Sequence, residues 1–155
     1  MIQRIQSVYL FLAAIILFSM FFHPLAEMLD AGKTFYQFDL SGIYEGMGDT
    51  AKKIESVLPL RFLVIVTAAL SFITIFFYKR RILQLRICIF NLILLIGFYG
   101  LFLFYFFFMR NQLDASVTSL KITIVFPFIA LILVFLATRG IRRDELLVRS
   151  YNRIR

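Results

Sequence analysis

The chain has 155 residues, 61% of them apolar and 17% aromatic, and a formal net charge of +8. One soluble domain cannot hide that apolar fraction, so an ordinary water-soluble protein is excluded. With a single histidine, His23, and a single cysteine, Cys88, an intrachain disulfide and the usual transition-metal sites are excluded as well.

Four apolar blocks carry the fold: Ile5–Phe22, Val57–Tyr78, Ile87–Met109 and Val117–Thr138. A helix needs roughly 20 residues to cross the ~30 Å hydrocarbon core, so each block is long enough to span. The expected fold is an all-α membrane protein, an antiparallel four-helix transmembrane bundle forming one domain over residues 1–155. The cores of the first and fourth blocks are short and are extended through Ser7 and Ser119, with Lys121 snorkelling to the interface. The first block follows Arg4 as a signal peptide would, but Phe22-His23-Pro24-Leu25-Ala26-Glu27 holds no small-x-small cleavage site, so an uncleaved signal anchor is expected.

Residues 23–56 form the one sizeable connection. Tyr36, Phe38 and Leu40 alternate with Gln37, Asp39 and Ser41, the period of a half-buried strand, and Ser41-Gly42 and Gly46 are turn signals, so a β-hairpin is expected. Tyr36, Phe38 and Tyr44 either pack as a lid on the bundle or present a binding face. Thr50 to Leu58 reads as a short helix capped by Asp49 or Thr50, and Pro59 opens the next helix. Arg61 sits in that helix's first turn, where Glu55 or Glu27 is placed to pair with it; interfacial anchoring and a substrate site are the two readings.

The stretch FFYKRRILQLRICIFN places Lys79, Arg80, Arg81 and Arg86 between two spans. Basic residues mark the cytoplasmic side of short connections. The N-terminus, this island and the tail after Thr138 hold eleven Lys and Arg, and the other two connections hold six. Both termini are therefore expected in the cytoplasm, with the basic island a tight turn between neighbouring helices. The same count explains the positive charge without nucleic acid, and no nucleic-acid-binding motif accompanies it.

Within the third block Asn91 is placed to hydrogen-bond across a helix interface, and Gly97 and Gly100 to flatten a face for close helix approach, as Ala68, Ala69 and Ser71 do in the second. FLFYFFFM, Phe102 to Met109, is aromatic on every helical face, so part of it must meet lipid or another chain. In the fourth block Pro127 is expected to kink the helix. The tail, residues 139–155, has Leu147, Tyr151 and Ile154 on one face and arginines including Arg142, Arg143 and Arg149 elsewhere, a pattern for lying on the inner membrane surface or docking a partner.

No nucleophile with a base, paired intramembrane carboxylates, phosphate loop or metal spacing is found, so neither enzymatic activity nor a cofactor is expected. The stretches MIQRIQSVYLFLAA, RILQLRICIFNLILL and RGIRRDELLVRSYNRIR, in this order and spacing, resemble the four-span membrane proteins of Bacteroidetes grouped as domain-of-unknown-function family 4293. The resemblance implies an integral inner-membrane protein of a Gram-negative bacterium, without an assigned activity or functional residues. The expected role is an accessory or scaffold subunit of an envelope complex, and the alternative a small transporter or lipid-handling protein. Expected partners are membrane lipid and either another membrane protein or a second copy.

Overall fold

A computed structural model describes residues 3–30, 34–46, 52–112 and 115–153. Four helices, α1 (Gln3–Ser19), α2 (Leu58–Phe76), α3 (Arg81–Gln112) and α4 (Phe126–Arg153), are joined by five strands. Each helix or its 3₁₀ extension is long and apolar enough to cross a membrane. In hydrocarbon every backbone N–H and C=O must be satisfied within the chain, which is why long apolar runs become helices. Around the molecule α1 packs on α2 and α4, and α3 packs on the same two helices.

The strands are β1 (Ala26–Asp30), β2 (Phe35–Asp39), β3 (Gly42–Glu45), β4 (Lys52–Glu55) and β5 (Ala115–Leu120). They form one sheet in the order β4-β3-β2-β1-β5, antiparallel throughout. The expected hairpin is present as β2 and β3, turning through Leu40 and Ser41. Gly42 makes its close approach workable: at φ +154° a Cβ there would lie 2.6 Å from the Glu55 carbonyl oxygen.

The sheet is larger than the hairpin because β5 comes from the connection between α3 and α4 and pairs with β1, Glu27 opposite Ser119. Two connections distant in sequence therefore lie at the same end of the helices. Ala26, Phe38 and Ile43 stand opposite one another across three strands and are all buried in the same apolar core as Leu10, Leu60 and Phe98 of the helices. Phe38 meets Phe102 of α3 with ring centroids 5.8 Å apart.

Several expected boundaries are corrected. Lys52–Glu55 is strand β4, not part of a helix, because pairing with β3 satisfies its backbone. Val117 to Ser119 belong to β5, and the fourth helix begins only after a 3₁₀ turn at Ile122–Val125. Pro127 consequently falls in the first turn of α4 and opens the helix instead of kinking it, as Pro59 opens α2. The Thr123 carbonyl, which Pro127 cannot serve, accepts from the Phe126 N–H. At the other end α4 runs unbroken through Gly140 to Arg153, so the tail continues the spanning helix and is not a separate surface segment. The third helix also starts earlier than expected, at Arg81, leaving Phe77 to Arg80 as the turn.

Candidate functional site

Away from the sheet the interior, which also holds Ala13, Ala137 and Ile141, contains a set of buried polar side chains. Thr67, Ser71 and Thr74 recur at helical spacing on α2, and Gln84, Cys88 and Asn91 on α3; all are buried. Asn91 Nδ2 donates to Ser71 Oγ at 2.7 Å, and Ser71 Oγ donates to the Thr67 carbonyl at 2.9 Å. Gln84 Nε2 donates to the Thr74 carbonyl at 3.2 Å, a carbonyl in the last turn of α2 that also accepts from the Phe77 N–H. On α4 the Thr138 hydroxyl donates to the Val134 carbonyl at 2.7 Å. Asn91 Oδ1 is the exception, buried with no partner among the described residues.

One turn further along, the last helix is tied to the first. Gln6 Nε2 donates to Asp144 Oδ2 at 2.8 Å, and Arg81 Nη1 donates to the Asp144 backbone carbonyl at 3.2 Å. Asp144 is the buried carboxylate among the described residues. Gly140 sets this contact, since a Cβ there would sit 3.0 Å from Gln6 Cγ. The void between Gln6, Tyr78, Arg81, Gln84 and Asp144 measures about 10 Å³, room for one water at most.

At the sheet end, Lys121 Nζ and Glu27 form a 2.7 Å ion pair, and the Tyr99 hydroxyl donates to the Ile124 carbonyl at 2.8 Å. Gln37 Nε2 donates to both carboxylate oxygens of Asp39, at 3.2 and 3.1 Å. Burial nevertheless outweighs those bonds and raises the Asp39 pKa above the ordinary 3.8.

The residues singled out from sequence are divided by these contacts. Asn91 does bridge two helices. Phe38 is buried and Tyr36 and Tyr44 are half-buried, so the lid arrangement holds for Phe38. Arg61 is exposed and has no ion pair or hydrogen bond from its guanidinium among the described residues; Glu27, expected as a partner, is taken by Lys121. Gly97 and Gly100 are corrected: both are exposed, and nothing lies within 4 Å of a Cβ at either. The close approach occurs at Gly140 instead. Arg142 and Arg143 are exposed on α4, and the Arg149 side chain lies outside the described residues. In the aromatic run, Phe102 and Met109 are buried, while Phe104, Phe107 and Phe108 face outward.

Gln6, Gln84 and Asp144 were missed as a constellation. The spacing of Gln84, Cys88 and Asn91 by four and three was a readable signal of an inward polar face. The Gln6 to Asp144 pairing spans 138 positions and left none.

The family described as Domain of unknown function (DUF4293) matches residues 2–154. The chain belongs to this family. A comparison with functionally curated proteins finds no match. The match takes in the sheet and the helices alike and assigns no activity to either. Among the described residues, no group of three or more His, Cys, Asp and Glu side chains is arranged to hold a metal ion.

Proposed function

We propose that the protein is a non-catalytic accessory or scaffold subunit of an envelope complex, an antiparallel four-helix bundle in the inner membrane of a Gram-negative bacterium. Both termini lie in the cytoplasm in this reading, because the ends that meet at Gln6 and Asp144 carry the arginine-rich segments. The sheet then lies on the outer side.

The observation that carries the scaffold reading is the burial of Ala26, Phe38, Leu40 and Ile43 in one core with the helices. The sheet is thus a fixed lid over the helix ends. A transporter needs an opening to each side, whereas here the lid shares its core with the spans and the polar side chains inside are bonded to each other and to helix carbonyls.

The test is purification of a chromosomally tagged copy in mild detergent, with mass determination of the particle and identification of co-purifying proteins. A stoichiometric protein partner is expected. A lone monomer that moves solute across proteoliposome membranes would contradict the scaffold reading and support the transporter alternative.

A further inference from the structure

Between α1 and α2 runs a groove of about 540 Å³, open to the side and lined by apolar side chains throughout. Its floor is low because Ala14, Ala68 and Ala69 stand where larger residues would fill it, and Phe11, Phe18 and Phe72 form its walls. Both flanking helices are apolar enough to cross a membrane, so what the surroundings supply to this groove is hydrocarbon chain.

Its sheet-side end carries a charge. Arg61, Ile65, Ala68 and Phe72 follow one another at steps of four, three and four, which places them on one face of α2. The last three line the groove. Arg61 therefore lies about one turn beyond it on the same face, exposed and with no carboxylate partner among the described residues. It also stands in the first turn of α2, which begins at Leu58, where the helix dipole adds to its positive field.

An apolar trough with an unpaired guanidinium about one turn beyond one end matches an amphiphile with an apolar tail and an anionic head. We propose that this groove binds a phospholipid of net negative headgroup charge, one acyl chain lying over Ala68 and the headgroup phosphate on Arg61. Guanidinium recognises phosphate through paired N–H donors, a stronger contact than a diffuse surface charge makes. A neutral partner helix would leave Arg61 unused, and a second copy would bring Arg61 towards its own equivalent or leave it exposed. The site does not rest on the scaffold reading, since a subunit or a monomer would hold lipid there equally.

The test is native mass spectrometry of the delipidated full chain titrated with palmitoyl-oleoyl phosphatidylglycerol and, separately, phosphatidylcholine. The wild type retains one phosphatidylglycerol in preference to phosphatidylcholine. Arg61→Gln lowers that retention about tenfold, the scale of one charge-assisted contact, while Arg110→Gln, an exposed cation on α3, leaves it unchanged. Ala68→Phe fills the groove and lowers retention of both lipids; Ala69→Leu serves the same purpose if the first variant does not fold. Equal losses from Arg61→Gln and Arg110→Gln, or no effect of groove filling, would mean unspecific annular lipid and overturn the site. So would a dimer that groove filling dissociates.

Discussion

The two ends of the molecule are held together by different physics. At the sheet end, cohesion is apolar: Phe38 of β2 lies between Ala26, Ile43 and the ring of Phe102. In the opposite half, apolar residues such as Ala137 and Ile141 are joined in the interior by amides and hydroxyls, with Asn91 on Ser71, Gln84 on the end of α2 and Gln6 on Asp144. Lipid offers no hydrophobic drive between spanning helices, so registration there falls to hydrogen bonds and close backbone approach. The sheet lies beyond the spans, where burial against water operates as in a soluble protein. Energy should therefore be concentrated at one end and specificity at the other.

Truncation in the sheet core is the harshest way to break this contrast. Phe38→Ala is expected to lose about 3–5 kcal/mol, the usual scale for a buried Phe, measured as a fall in detergent melting temperature with loss of strand signal. A loss below about 1 kcal/mol would mean the sheet is not part of the core.

Next comes the glycine pair. Gly140→Val should cost about 1–3 kcal/mol by overpacking against Gln6, and Gly97→Val, with open space at its Cβ, should remain within about 0.5 kcal/mol. Thermal melting of the two variants side by side checks this, and the reverse order would move the close helix contact back to α3.

Smaller still is Asn91→Leu. A hydrogen bond between membrane helices averages about 0.6 kcal/mol, and the substitution also removes the unpartnered Oδ1, so the two effects oppose each other. A net change below about 1 kcal/mol in steric-trap or denaturant unfolding is expected; a much larger loss would show that Asn91 binds something further.

The smallest effect concerns Asp39. Its folded pKa is raised by burial, so the folded state holds the proton more tightly than the unfolded chain. Between the ordinary 3.8 and the raised value, stability falls as pH rises, and above both the destabilisation is complete. Asp39→Asn should remove that slope in pH-dependent melting, and an unchanged slope would assign it to another group.

What was legible from sequence follows the same division. Apolar length located the four helices, and the alternation around Tyr36, Phe38 and Leu40 located the hairpin, because both are local patterns. The partner of β1 was not legible: β5 lies some ninety positions away, and its residues blended into the apolar block that follows. Lys52–Glu55 misled because its cap-like neighbours suggested a helix, and cross-strand pairing decided otherwise. Gly97 and Gly100 drew attention by spacing alone, while the closely packed glycine, Gly140, could be recognised only from the Gln6 side chain that α1 brings against it.

The central claim is that the two sheet-bearing connections form one fixed lid on the outer side of the membrane. Glu27 and Ser119 are directly opposed in β1 and β5, close enough for a disulfide between cysteines placed there. The decisive measurement combines Glu27→Cys and Ser119→Cys in a Cys88→Ala background and treats spheroplasts with a membrane-impermeant oxidant. Rapid cross-linking within one chain, without lysis, is the predicted result. No cross-link, or one that forms only after the membrane is opened, would contradict the account.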